Sequence, residues 1–281
     1  MHELTEEKVI RNGSKTFSLA GSFFSREQWL SACQIYHWCR YCDDMIDSGD
    51  KDLEFLKKET HDVLVLGKQS SLPAFRSLQS VYGRYSIPKV YAEELLNGME
   101  MDINHEGYKT LQDLEVYCYR VASTVGLMMC YIMGISDHAA LKHASDLGLG
   151  MQLTNICRDV KEDLENNRSY IPQEFDNESK FEAVKILLSR AEKHYQSGLE
   201  GLKYLPWRSA FVIMMAAFFY REIGRKILRT GPSALNHRTV VSPFEKCLLL
   251  MKAMILTLFM LPGRIFKRHK PIAIESIWRP V

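Results

Sequence analysis

The sequence predicts an all-α protein. Three observations carry that expectation. Apolar residues recur at helical spacing along most of the chain, strand-like alternation is scarce, and helix-starting residues stand ahead of several periodic runs. Helices with no strand to cover must bury their apolar stripes against one another. A single helical bundle over residues 1–281 is therefore expected.

The elements follow in order. Ser25-Arg26-Glu27-Gln28 has the spacing of a capping box and opens a helix to about Asp47. Pro88 suits the first position of a helix to about Asn104, because its φ is already helical and it has no N–H to leave unpaired. Thr110 caps the next, with Asp113 in its first turn. Ser136 is placed to cap a helix that runs to about Leu164. Residues 165–177 are polar and contain Pro172, so they read as a loop. Two helices are expected at about 178–199 and 206–228, and an apolar segment begins near Pro243.

That last segment, with the basic residues behind it, forms a distinct C-terminal part at about 243–281. Cys247 to Leu261 is almost wholly apolar, broken by Lys252, and Pro262-Gly263 is expected to end it. It is shorter than the roughly 20 apolar residues that span a bilayer. Arg264, Lys267, Arg268 and Lys270 follow. Such a cluster is attracted to anionic lipid by about 1 kcal/mol per charge. The segment reads equally as a last bundle helix and as a peripheral membrane contact. Both hold if one face packs and the other touches lipid.

Composition excludes several classes. With 46% apolar and 25% charged residues the chain can build a core and is not a disordered segment. A net charge of +2, with no basic stripe interleaved with aromatics, gives no reason to expect a nucleic-acid partner. Seven cysteines without regular spacing argue against a disulfide framework and for a reducing compartment. The polar, acidic start lacks the apolar or Arg-rich character of a targeting segment, so a cytoplasmic protein is expected. No feature sets an oligomeric state.

Two acidic clusters carry the chemistry. Tyr36, Arg40, Asp43 and Asp47 stand at i, i+4, i+7 and i+11, and so share one helical face. Gln152, Asn155, Asp159 and Asp163 do the same at i, i+3, i+7 and i+11. One such cluster would pass as a solvated face with ordinary ion pairs. Two of them, oxygen-rich and flanked by apolar stretches, point to a cation between mutually repelling carboxylates. An all-oxygen set suits Mg²⁺, with Mn²⁺ as the alternative, because Mg²⁺ keeps waters and takes substrate phosphates. The implied partner is a diphosphate, and Ser14, Lys15, Arg40, Arg158, Arg168 and Arg238 are available to complete its site. Between the clusters, Tyr117, Val121, Val125 and Met128 share a face amid small residues. Periodicity favours plain core packing there, and the functional alternative is a wall of an apolar tunnel.

These runs resemble the squalene/phytoene synthase family. The residues concerned are Ser14-Lys15-Thr16-Phe17-Ser18, Tyr36 through Asp47, Tyr117 through Gly126, and Gln152 through Pro172, in the family's order and spacing. Weaker likeness continues through Tyr220-Arg221-Glu222-Ile223 and Arg238 to Ser242. The resemblance implies an isoprenoid synthase helical bundle with a central cavity. It implies that Asp43, Asp47, Asn155, Asp159 and Asp163 hold Mg²⁺ and diphosphate, assisted by Ser14, Lys15, Arg40, Arg158 and Arg238. It implies that Phe17, Tyr36, Tyr117, Gln152, Tyr170 and Tyr220 line the cavity and steady cationic intermediates.

The implied reaction is a head-to-head condensation. One prenyl diphosphate ionises, its allylic cation attacks the double bond of a second, and a cyclopropylcarbinyl diphosphate forms. A second ionisation and rearrangement then make the 1-1′ bond. The Tyr117–Gly126 and Arg158–Pro172 runs look closer to phytoene synthases, which end by proton loss without NADPH. Two geranylgeranyl diphosphates giving phytoene is therefore the expected reaction. Squalene or dehydrosqualene from two farnesyl diphosphates is the alternative. Gly21 stands where some relatives carry an aromatic and Ser123 where Gly is frequent, and both bear on chain length.

A class I terpene cyclase, or a head-to-tail synthase, would also suit Asp43-Asp44-Met45-Ile46-Asp47, but not the Ser14–Phe17 and Tyr117–Gly126 runs. An oxygen-activating di-metal bundle needs Glu-x-x-His pairs, which are absent. A non-catalytic lipid-binding protein would have no use for all five metal-side residues. Cys39 and Cys42 have Cys-x-x-Cys spacing but no second pair, and Gly148-Leu149-Gly150 is no dinucleotide fingerprint.

Overall fold

A computed structural model describes residues 24–48, 53–104 and 107–265, apart from the side chains of Asp47 and of residues 260–265. Ser14, Lys15, Phe17 and the basic residues that follow the last helix lie outside the described residues. The described chain is helical, with no strand among those residues.

Helix α1 spans Arg26–Ser48, α2 Leu53–Leu64, α3 Pro73–Tyr85, α4 Val90–Ile103 and α5 Leu111–Cys118. A π-helical segment, Tyr119–Ser123, joins α5 directly to α6, Thr124–Ile132. Then come α7 His138–Glu165, α8 Lys180–Glu200, α9 Trp207–Thr230 and α10 Pro243–Ile265. Helix α7 is the central element. It packs on α5, the π segment, α6, α8 and α9, while α1 packs on α3 and α6, and α10 packs on α9.

The helix starts show the expected chemistry with small shifts. The Ser25 Oγ accepts from Gln28 N at 3.2 Å and the Gln28 side chain accepts from Ser25 N at 3.3 Å, which is the predicted capping box. Thr110 and Asp113 form a second one. Asp137, not Ser136, caps α7, because its carboxylate accepts from Ala140 N. Ser179 caps α8. Helix α4 begins at Val90, two residues beyond Pro88. Helix α10 continues to Ile265, past Pro262 and Gly263, which were expected to end it. Helices α2 and α3 were not assigned from the sequence.

The π segment changes one expectation. In it the N–H of Thr124 reaches the carbonyl of Tyr119, five residues back instead of four. The extra residue turns the chain before it relative to the chain after it. Tyr117, Val121, Val125 and Met128 therefore do not form one wall. Val125 lines a cavity, Met128 is fully buried and accepts from the Tyr82 hydroxyl, and Val121 packs towards α4.

Two glycines allow the close approaches this layout needs. A Cβ on Gly148 would lie 2.6 Å from Cα of Ser123, so α7 and the π segment touch backbone to backbone. A Cβ on Gly98 would lie 2.7 Å from the Val121 side chain, which brings α4 against the other side of the same segment.

Candidate active site

An apolar cavity of about 270 Å³ lies between α1, the π segment and α6, α7, the end of α8, and α9. Its walls are small or flexible residues such as Ala122, Gly126, Ala144, Gly148 and Met151. On α7 the lining residues are Ala140, Ala144, Leu147, Gly148 and Met151. Further along that helix, each i+4 step turning about 40° away from the cavity side, come Asn155, Asp159 and Asp163. One helix thus carries apolar wall in its N-terminal half and acidic residues beyond it. At 1.5 Å per residue, Asp163 stands about 18 Å beyond Met151.

Helix α1 repeats the pattern. Gln28 and Ala32 line the cavity, and Tyr36, Arg40 and Asp43 follow towards its C-terminal end. Both acidic clusters therefore sit on the C-terminal halves of helices whose N-terminal halves wall the same cavity. Tyr220 of α9 lines the cavity, and it also interacts electrostatically with Arg158 of the α7 cluster.

Each acidic cluster is paired with its own arginines. Arg158 binds Asp159, with its Nε 2.8 Å from Oδ1. Arg238, remote in sequence, places its Nε 3.3 Å from the Asp159 Oδ1 and also reaches Glu162 at 3.2 Å. Arg40 pairs with Asp44 at 2.7 Å and lies 3.9 Å from Asp43. Asn155 donates to Gln152 at 3.2 Å, and its own Oδ1 is buried with no hydrogen-bond partner. Burial first, then the charges of Asp159, Glu162 and Asp102, push the Asp163 carboxyl up to about 6 against the pull of Arg168. A buried amide oxygen without a donor, and a carboxylate crowded by like charges about two turns further along the same helix, are each what a cation would relieve. These residues fit Mg²⁺ in that respect. Among the described residues no three carboxylate, His or Cys groups converge tightly enough to enclose an ion by themselves.

Beside this end stands a stack of three tyrosines. The rings of Tyr117 and Tyr170 lie 5.4 Å apart at 28°, and Tyr108 closes the group at 5.4 and 6.1 Å. All three are buried. The Tyr117 and Tyr170 hydroxyls donate to opposite oxygens of Asp102, each at 2.8 Å. Burial, then the Asp102 charge, raises both phenols well above their usual range, so both remain protonated donors. Tyr36 is raised in the same sense, again by burial first.

Of the residues named from sequence, the structure gathers Asn155, Asp159, Asp163, Gln152, Arg158 and Arg238 at one place, with Tyr117 and Tyr170 nearby. Val125 and Tyr220 line the cavity as expected, whereas Val121, Tyr36, Tyr117, Gln152 and Tyr170 are not among its lining residues. Ser14, Lys15, Phe17 and the Asp47 side chain lie outside the described residues. The sequence reading missed Asp102 and Tyr108. Asp102 lies in the run Met99-Glu100-Met101-Asp102 at the end of α4, where an acid reads as solvent-facing.

The sequence matches the squalene/phytoene synthase family over residues 10–245. It is 36% identical to the 15-cis-phytoene synthase of Enterobacter agglomerans, over 96% of this chain and 99% of that one. It is 37% identical to the 15-cis-phytoene synthase of Pantoea ananas, over 86% and 87%. A dehydrosqualene synthase solved in complex with ligand is similar at a TM-score of 0.80 and 27% identity, over 92% of this chain and 97% of that one. The squalene synthase of Alicyclobacillus acidocaldarius shares the fold at a TM-score of 0.73 and 21% identity, over 82% and 94%.

Proposed function

We propose that this chain, which belongs to the squalene/phytoene synthase family, is a prenyltransferase that joins two geranylgeranyl diphosphates head to head to give phytoene. The observation that carries the reaction class is that α7 forms cavity wall in its N-terminal half and bears acidic residues beyond it. It fits an amphiphile whose tail lies in the cavity and whose diphosphate lies at Asp159 and Asp163. The C20 substrate is favoured by the two 15-cis-phytoene synthases that match over most of both chains.

The chain's own residues account for the steps. Asp159, Asp163 and Asn155 on α7, with Asp43 and Asp47 on α1, would hold Mg²⁺. When bound, it neutralises the charge that develops on the departing diphosphate. Arg158, Arg238 and Arg40 would pair with phosphate oxygens, as arginine's planar fork allows. As the C1–O bond of the first substrate breaks, the electron pair leaves with the diphosphate and an allylic cation remains. The second substrate's double bond attacks it, a proton is lost, and the cyclopropylcarbinyl diphosphate forms. Its ionisation and rearrangement make the 1-1′ bond, and loss of one more proton ends the reaction without a reductant, so NADPH is not needed. The apolar walls exclude water that would quench the cations. The faces of Tyr117, Tyr170 and Tyr220 offer their negative quadrupoles to positive charge.

Incubation with geranylgeranyl diphosphate and Mg²⁺, with and without NADPH, tests this. Phytoene should form in both. A strict NADPH requirement, or a product made only from farnesyl diphosphate, would overturn the assignment. The likeness to the dehydrosqualene synthase makes C30 synthesis the second reading.

The proposal extends to location. This would be a cytoplasmic enzyme resting on a membrane face through α10. No described helix is long and apolar enough to cross a bilayer. Helix α10 buries Ala253 and Thr257 against the bundle and exposes Phe244, Leu248, Met251, Ile255, Leu258 and Phe259. Those exposed residues recur at helical spacing on one side. An apolar stripe followed by Arg264, Lys267, Arg268 and Lys270 complements an anionic bilayer. Its chemistry also suits an oily product that leaves into lipid. The protein should pellet with anionic vesicles, less so at high salt, and less again with those four residues neutralised. Equal pelleting of both proteins, or of neither, would leave α10 as a packing helix.

A further inference from the structure

We propose that Asp102 is a positioning residue for the reaction: its carboxylate holds Tyr117 and Tyr170, one hydroxyl on each oxygen, and so fixes and electronically enriches the rings beside the acidic end. This rests on the reading that those two rings lie against the reacting carbons.

The geometry is specific. The stacked residues come from three separate places: Tyr108 ahead of α5, Tyr117 on α5 and Tyr170 in the loop after α7. A single carboxylate at the C-terminal end of α4 meets two of them at 2.8 Å each. Its site is set by packing. Gly98, one turn earlier on α4, lets that helix press on the π segment. Arg120 of the π segment then ties to α4, donating to Glu94 at 2.9 Å. The loop bearing Tyr170 is tied in turn, because Gln173 N donates to Tyr108 O at 2.8 Å and Glu174 accepts from Leu111 N. Three segments therefore converge on one acid.

The chemistry follows from the pairing. A phenol that donates to a carboxylate carries more negative charge on its oxygen and ring than one that donates to water. The ring face then attracts a cation more strongly. Two rings held in one stack also pay no ordering cost when charge develops beside them. Asp102 touches neither substrate nor reacting atoms in this account, and acts through the tyrosines.

Asp102→Asn keeps the shape but removes the charge, and its amide oxygen is one acceptor where the carboxylate had two. Its kcat should fall by at least about tenfold while KM for the prenyl diphosphate and the Mg²⁺ needed for half activity move less than about threefold. Tyr117→Phe combined with Tyr170→Phe should lower kcat in the same way. Adding Asp102→Asn to that double variant should lower kcat by less than about twofold further, since no hydroxyl remains to be held. All variants are assayed below their melting temperatures by circular dichroism. Should Asp102→Asn melt too early, the double Phe variant carries the test, because it leaves the carboxylate in place. Wild-type kcat in the double Phe variant then overturns the proposal. Wild-type kcat in Asp102→Asn also overturns it, as does an undiminished further loss in the double Phe background, or a raised Mg²⁺ requirement. A wild type that makes no hydrocarbon would bring down the functional reading as well. An active wild type with an indifferent Asp102 brings down this inference alone.

Discussion

At the residue scale, a buried polar cluster outside the site ties three helices together. His194 of α8 lies between Glu115 of α5 and Asp146 of α7, 2.9 Å from each. Arg190 also binds Glu115, Ser197 binds Asp146 and His143, and Lys142 adds its field at Asp146. Burial opposes the imidazolium, but the two carboxylates outweigh it and raise His194. Burial likewise opposes ionised Glu115, and the bonds from His194 and Arg190 outweigh it, holding it at about 2. A raised histidine contributes stability that is complete below its unfolded pKa of about 6.5 and is lost as pH climbs through its folded pKa. The melting-temperature gap between wild type and His194→Gln should therefore be widest near about pH 6 and shrink as pH rises towards about 9. A gap that is constant or grows over that range would show that His194 is not charged in the fold. The carboxylates work in the opposite window, since Glu115 contributes in full above its unfolded pKa of about 4.3 and loses that progressively as pH falls to about 2.

At the scale of elements, the sequence located the long helices well and the joints between them less well. The capping box at Ser25 and the Thr110 cap formed as read, because a cap is chemistry within four residues. Helix α3 gave no such signal: it follows Leu72, which makes no side-chain cap, and its start is marked by Pro73. The π segment was invisible, since an extra residue in a helical run changes no composition. Yet it decides which residues wall the cavity, and it depends on contact with α7 at Gly148. Gly148→Ala places a methyl against Ser123 backbone, which has no rotamer to yield. It should destabilise by about 1–3 kcal/mol. Gly83→Ala, on α3 with open space around its Cβ, should instead leave stability unchanged or raise it by up to about 1 kcal/mol. Thermal melts of the two variants check this, and a Gly148→Ala protein that melts like wild type would mean that α7 and the π segment are less closely packed than described.

For the whole molecule, one architectural fact links fold and function. Two helices enter a shared cavity wall at their N-terminal halves and carry acidic residues beyond it. The family was readable in the sequence because four runs, Ser14–Ser18, Tyr36–Asp47, Tyr117–Gly126 and Gln152–Pro172, stand in its order and spacing, and the match over residues 10–245 bears that out. The cavity itself was not readable, because core packing and a tunnel wall have the same periodicity. Both acidic faces are proposed to act through Mg²⁺ on one diphosphate-bearing substrate. Steady-state turnover of Asp47→Ala and Asp159→Ala decides this, with helical content followed by circular dichroism and with wild type assayed in chelator. Both variants should keep their helical signal and lose turnover by about a hundredfold or more, and chelated wild type should be inactive until Mg²⁺ is returned. Full turnover in either variant, or in wild type under chelator, would contradict it.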